Sequence, residues 1–355
     1  VILGNLRHVG VQAALVSALL FGAGTPVAKM LLGDVSPWLL AGLLYVGSGV
    51  GLGIYRLARR LPRVRLQRGE LLPLAGAVFF GGMVGPVLLM VGLAGTPASG
   101  ASLLLNAEGV LTALIAWFVF RENVDRRIAL GMVAIVAGAL VLSVPTGAAE
   151  LGGTGPTSVW PPLAILGACL CWGIDNNLTR KVALNDATWL AAVKGCVAGP
   201  VNLVLAFLLG ASIPAVRSVV AAMSVGLLAY GVSLVLFIVA MRHVGTARAG
   251  AYYSVAPFFG AAVALAMGES LTLPLVVAAA LMALGVWLHL TERHEHEHTH
   301  DAVTHSHSHR HDDGHHDHEH PEPVAAGTWH HHEHTHDAVT HSHPHYPDAH
   351  HRHRH

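Results

Sequence analysis

The sequence predicts an all-α integral membrane protein: ten transmembrane helices in two inverted five-helix repeats, followed by a disordered, histidine-rich tail. Three observations lead there. The chain is 53% hydrophobic and 12% charged, with a mean hydropathy of +0.53, whereas soluble domains carry about 25% charged residues. Motifs in the first half return about 150 residues later in the second. Finally, 24 of the 27 histidines lie between His294 and His355, leaving only His8, His243 and His289 elsewhere.

A bilayer core is crossed by about 20 apolar residues in helical form. Backbone groups in lipid must be satisfied within the segment, and without strand-type alternation that means helices. Apolar runs of this length occupy residues 10–32, 37–57, 71–93, 97–120 and 127–145, then 160–179, 188–210, 218–241, 246–268 and 272–290. The first run is too long for the apolar core of a cleavable signal and other spans follow it, so it reads as an uncleaved helix. Connections as short as Gly95-Thr96-Pro97 make neighbouring helices antiparallel hairpins. Residues 10–145 and 160–290 are therefore the two repeats, and 292–355 the tail.

The loops set the orientation. The second connection carries Arg56, Arg59, Arg60, Arg63, Arg65 and Arg68, the fourth Arg121, Arg126 and Arg127, the sixth Arg180 and Lys181, and the eighth Arg242 and Arg248. On the opposite side stand Asp34, Glu150 and Glu269, with Arg217 the one cation. Basic loops face the cytoplasm, which predicts a multi-pass protein of the cytoplasmic membrane with both termini inside. The formal charge of zero hides a split: residues 1–293 hold 18 Lys/Arg against 10 Asp/Glu, and residues 294–355 hold 3 against 11. With arginines placed between apolar spans, the basic body speaks of membrane orientation and not of nucleic acid. Cys169, Cys171 and Cys196 all lie in apolar stretches and form no disulfide framework. No nucleophile–base pair or phosphate-binding loop is evident, so neither an enzyme nor an ATP-driven pump is expected.

Phe21-Gly22, Lys29 and Trp38 recur 151 residues later as Trp172-Gly173, Arg180 and Trp189. Gly95-Thr96 and Gly100-Ala101 return 150 residues on as Gly245-Thr246 and Gly250-Ala251, and the fourth helices close on Glu122 and Glu269. Five helices per repeat make the second copy enter from the opposite face, as in carriers that expose a central site to each side in turn. Together with Gly92-Leu93, Ala98-Ser99, Thr246-Ala247-Arg248-Ala249, Ala256-Pro257-Phe258 and Gly268-Glu269, these segments resemble the drug/metabolite transporter superfamily, EamA type, over residues 10–290. One departure stands out: Asn106-Ala107-Glu108-Gly109 occupies the place of an expected proline in the fourth helix. The resemblance implies an alternating-access carrier of small solutes, often an exporter, and leaves the solute open.

Within the spans, Glu108 sits about 11 residues into the fourth helix, where a carboxylate costs roughly 2.5–3.5 kcal/mol on insertion scales. Such a group is expected to face the bundle interior, as a proton-coupling site or cation ligand with Asn106 and Thr112 nearby, or as a protonated acid bonded to a neighbouring helix. Asp175, Asn176 and Asn177 cluster near the cytoplasmic end of the sixth span and complete the expected substrate pathway. Cys171 and Asp175 share a helix face and could touch a transition metal, although Asp175 reads more simply as a helix-end charge in the headgroup zone. Lys29 and Lys194 are expected to snorkel to the interface, and Tyr252 and Tyr253 to belong to the interfacial belt. Pro26, Pro86, Pro200 and Pro257 interrupt helices in ways that can line a cavity. Gly47/Gly51, Gly49/Gly53 and Gly81/Gly85 match close helix contact.

In the tail, His294, His296, His298 and His300, then His305, His307, His309 and His311, alternate with small or acidic residues, as do His332, His334 and His336 and finally His341, His343 and His345. Alternate imidazoles of an extended chain lie on one side, and neutral imidazole is a common donor to Zn, Ni or Co. The block 296–307 recurs identically as 332–343. No helical or strand period is read there, and several weak, exchanging metal sites are expected. The function expected is a secondary transporter of a small solute with a metal-binding cytosolic tail. The alternatives are a transporter of divalent Ni, Co or Zn and a membrane-anchored metal buffer or sensor. No cofactor is required. Partners are a small-molecule or metal-ion substrate and the lipid bilayer, with a homodimer open and nucleic acid excluded.

Overall fold

In the computed structural model, helices occupy each of the ten intervals marked by apolar runs. The residues described are 9–62, 64, 66–120, 126–143, 158–179, 181–182, 185–244 and 246–290, with the tail segments 295–300, 303–309, 330–336 and 339–344. Arg63, Arg65, Arg121, Glu122, Glu150, Arg180, Gly245, His294, His311 and His345 lie outside them. Residues up to Glu292 form one compact unit, and those from Arg293 a second.

The helical unit begins with α1 (Val9–Leu31) and α2 (Pro37–Ala58), joined by a Gly33-Asp34 turn, with Pro37 pre-set for the first helical position. The third span is composite: α3 (Leu71–Ala77), a π-helical stretch (Val78–Val84) and α4 (Gly85–Ala94). The fourth is broken into α5 (Ala98–Leu104) and α6 (Ala107–Phe120), and α7 (Arg126–Ser143) follows. The second half repeats the plan: α8 (Trp160–Thr179), α9 (Ala187–Leu208), then α10 (Val216–Val225), a π stretch (Gly226–Val232) and α11 (Ser233–Val244). A second broken span, α12 (Thr246–Tyr253) and α13 (Ala256–Ala266), leads to α14 (Leu273–Leu290).

The two breaks have different causes. In α12–α13, Pro257 supplies no N–H for the ladder. In α5–α6, Asn106 does the same work: its side-chain Nδ2 and its backbone N–H both donate to Leu103 O, and the Glu108 N–H donates to Leu105 O, a tightened i→i+3 turn. The departure from the expected proline thus still interrupts the helix.

Among the described residues six helical stretches are long and apolar enough to cross a membrane: Val9–Leu31, Pro37–Ala58, Arg68–Ala94, Ala98–Val119, Ala187–Leu208 and Val216–His243. Ala129–Ser143, Ala256–Ala266 and Leu273–Leu288 are shorter apolar helices. Helix α8, expected as the sixth span, falls outside both groups; it carries Asp175, Asn176 and Asn177 in its last turns. Leu72 and Phe118 are 82% and 71% exposed on an outer face rich in large apolar side chains, a surface suited to lipid and not to water.

Helices from the two halves interleave. α2 packs along α9 and α7 along α14, while α1 lies against α11 and α13 as α8 lies against α4 and α6. Close approach requires glycine where α2 meets α9: a Cβ on Gly49 or Gly195 would enter the other helix's backbone. Gly47, Gly51 and Gly81 are equally confined, as expected, but Gly53 faces open space. The core between these helices is aliphatic, with Leu40, Leu44, Leu89, Met90, Leu104, Ile165 and Leu190 almost wholly buried.

The tail differs from expectation. Its described residues are not irregular but form four strands, β1 (Glu295–His300), β2 (Val303–His309), β3 (His330–His336) and β4 (Val339–Pro344). β1 pairs with β4 and β2 with β3, both antiparallel. Histidine alternating with Thr, Ser or Glu is itself the period of two that a strand needs.

Candidate functional site

Where α1, α2, α6, α8, α9, α11 and α12 converge there is a cavity with about 70 Å³ open to water-sized molecules. Its charged and amide groups are Glu108, Asp175, Asn176 and Lys194, and its walls include Phe21, Tyr45, Trp172, Tyr230, Phe237 and Tyr253. The broken fourth span places Glu108 in the first turn of α6, facing the positive end of that helix dipole. Asn176 Nδ2 donates to Glu108 Oε1 at 2.8 Å and to Thr112 Oγ1 at 3.4 Å.

Next to Asn176 on α8, Asp175 is held by an ion pair. Lys194 Nζ of α9 lies 2.5 Å from Asp175 Oδ1, and the two side chains are 3% and 11% exposed. Thr179 closes the triangle, accepting from Lys194 at 3.0 Å and donating to Asp175 at 2.7 Å. Gly81 of the first π stretch lies so close that a Cβ there would overlap the Asp175 carboxylate.

That π stretch also redirects its carbonyls. Gly81 O receives Tyr45 Oη at 2.6 Å and Trp172 Nε1 at 3.0 Å, and Asn202 Nδ2 donates to Gly82 O and Met83 O. Two cavity aromatics are thus fixed by backbone groups that an unbroken α-helix would keep for itself. Phe21 packs edge-on to Trp172 and Tyr230, with ring centroids 5.8 and 5.7 Å apart. Ser17 and Ser233 exchange hydroxyl-to-carbonyl bonds of 2.6 and 3.0 Å, tying α1 to α11.

Polar clasps lie at each end of the bundle. At the arginine-bearing end, Arg56 Nη1 meets Asp186 Oδ1 at 2.5 Å and Thr188 Oγ1 at 2.7 Å, while Arg242 donates to Asn185 O and Asn185 Nδ2 to Glu70. Burial alone would raise the Asp186 carboxyl. Hydrogen bonds from the Thr188 hydroxyl and the Trp189 N–H, with the Arg56 charge, outweigh that and hold it below the usual carboxylate range. At the opposite end, the Glu269 carboxylate accepts from the N–H groups of Ala98 and Ser99, and Lys29 Nζ donates to Leu93 O and Ala94 O.

A family model for the EamA-like transporter family matches residues 8–144 and again 159–291. The chain belongs to the EamA-like transporter family. It is therefore a multi-pass membrane protein that transports small solutes, built from two copies of the EamA unit. An "uncharacterized transporter" of Methanothermobacter thermautotrophicus is 24% identical over 266 residues, covering 71% of this chain and 77% of that protein. A solved crystal structure is similar at a TM-score of 0.60 and 20% identity, covering 78% of this chain and 95% of that one, a likeness of fold.

In this EamA-like transporter the expected pathway residues divide. Glu108, Asp175 and Asn176 line the cavity together. Asn177 and Thr112 instead tie α8 to α6, through Asn177 Nδ2 and Thr112 O at 3.2 Å. Asn106 points elsewhere, its Nδ2 3.7 Å from Met282 Sδ on α14. Three expectations change. Asp175 is not a headgroup charge and Lys194 does not snorkel, because each neutralises the other inside the bundle. Tyr253 is a cavity wall and not a belt residue; it packs on Phe237 with centroids 4.7 Å apart. Lys29 bonds backbone carbonyls at a helix end. Cys171 and Cys169 are buried free thiols and Cys196 is exposed on its helix. Among the described residues of the helical unit no group of three His, Cys, Asp or Glu side chains is placed to hold a metal ion. The sequence marks the aromatic wall only through the repeated pair Phe21 and Trp172, which by itself speaks of duplication and not of a cavity.

Proposed function

We propose that this EamA-like transporter is a secondary, alternating-access carrier whose solute binds in the aromatic cavity between the halves, and that it works as an exporter. The observation that carries the reading is the meeting, in one cavity, of Glu108 with the buried Asp175–Lys194 pair. A carboxylate kept within a bundle at such cost is a functional group by default. Its chemistry suits a proton that binds and leaves as the cavity faces each side in turn. Six aromatic rings around it suit a small organic solute with an apolar body and one polar or cationic group. The clasps at the two ends, Arg56–Asp186 and Glu269–Ala98/Ser99, are natural places for the pathway to close. The basic loops support a cytosolic Arg56 end and a cytosolic tail, and alternating histidines support a tail that takes up divalent transition metal such as Zn, Ni or Co.

Flux in proteoliposomes tests this, comparing the full chain with one ending at Thr291. Proton-driven movement of an organic solute in both is the expected result. Movement of Ni, Co or Zn in both would make the metal the cargo and overturn the organic-solute reading. If neither version moves any solute while the full chain still binds metal, the body is an anchor for a buffer or sensor.

A further inference from the structure

The block 296–307 and its identical copy 332–343 run antiparallel to each other in the tail. Both two-stranded sheets keep one register: from Glu295↔Pro344 to His309↔His330 each strand advances fourteen residues. Within it, His296 stands opposite His343 and His298 opposite His341; farther on, His305 stands opposite His334 and His307 opposite His332. In an antiparallel pair, opposed Cβ atoms are about 4.5–5.5 Å apart and every second residue shares a face. Positions 296, 298, 341 and 343 therefore share one face, and 305, 307, 332 and 334 form a second such group, flanked on the same face by the opposed pair 309 and 330.

We propose that each of these four-histidine register groups is a binding site for one divalent transition-metal ion, and that the two ions hold the ribbon closed. Four nitrogen donors at neighbouring register positions match the tetrahedral demand of zinc. The strands offer little else to keep them together. Val303 and Val339 are their only aliphatic residues, and an isolated two-stranded ribbon is marginal in water. Metal binding and strand pairing are then one equilibrium, in which the ions contribute the folding free energy that an apolar face would otherwise supply. The duplication gains a role: a block beside its own reversed copy puts histidine opposite histidine without any further adjustment. The inference rests on the metal-binding reading of the tail and adds to it a fixed geometry and a fixed number of tight sites.

The test uses the full chain in detergent, stripped with chelator and titrated with zinc chloride, reading bound zinc against an indicator and amide exchange over 295–309 and 330–344. Two ions should bind about tenfold or more tightly than the rest, with both segments gaining protection together. Thr299→Pro with Thr304→Pro keeps every histidine and acid. The two positions differ by an odd number of residues, so one of them falls in a hydrogen-bonded pair and breaks the ladder. This variant should lose the protection and the tight site of the broken ladder while still taking up zinc weakly. Unchanged affinity in it, or zinc uptake by the parent chain without protection, overturns the paired geometry and leaves the metal-binding tail standing. Protection that grows with protein concentration places the pairing between chains and overturns it too. If the full chain binds no more zinc than one ending at Thr291, both readings fall.

Discussion

Asp175 and Lys194 show how much one contact decides. Each alone would be a charge stranded in a cavity that admits little water; paired, with Thr179 between them, neither is. Removing one partner of a buried pair costs about 3–5 kcal/mol, whereas replacing both with apolar groups of similar size costs far less. Lys194→Met and Asp175→Leu should therefore each lower stability by that order, and the double variant should recover most of it. A double-mutant cycle by denaturant or thermal unfolding in detergent measures this, and additive losses would contradict the coupling. Glu108 calls for a different measurement. Glu108→Gln keeps the hydrogen-bonding outline and removes the exchangeable charge, so pH-driven uptake should vanish while solute exchange at equal pH persists. Unchanged coupling would reduce Glu108 to a packing residue.

At the scale of elements, the breaks matter more than the helices. Both third-position spans of the halves contain a π turn and both fourth-position spans an interruption. These are where carbonyls and helix ends become available to side chains. The first π stretch holds Tyr45 and Trp172 through Gly81 O and leaves Gly81 pressed on Asp175. Gly81→Ala should thus push the carboxylate off Lys194, lowering stability by about 1–3 kcal/mol and lowering flux as well. Gly53→Ala is the matched control. Nothing lies within 4 Å of a Cβ there, so the helix should gain up to about 1 kcal/mol. Equal effects at the two positions, read from unfolding curves, would show that contact with Asp175 is not what confines Gly81.

For the whole molecule, the question is which clasp opens. The Arg56–Asp186 contact joins α2 to the start of α9 across the halves. Asp186 titrates lower in the folded state than in the unfolded one. Its contribution is therefore complete above the ordinary carboxylate value, near pH 4, and fades as pH falls through the lower folded value. Asp186→Asn should melt below the parent protein by a constant margin from pH 7.5 to about 5, and that margin should shrink below about pH 4. A margin that persists in acid would assign the effect to the lost N-cap geometry and not to the charge.

The sequence alone was enough to place the protein in the membrane, to mark ten helical intervals and to reveal the duplication, because lipid imposes a composition and a length on every span. It also singled out Glu108 and Asp175, since charges in such surroundings are conspicuous. It could not tell that Asp175 meets Lys194, that Asn106 turns away toward Met282, or that Phe21, Tyr45, Trp172, Tyr230 and Tyr253 gather around the same space. Those facts depend on which faces of helices distant in the chain come together. A helix's own pattern says that a face is buried without naming its neighbour. In the tail the balance is similar: the alternation was legible, but only the pairing of a block with its copy set histidine opposite histidine, because register is a relation between two strands and belongs to neither alone.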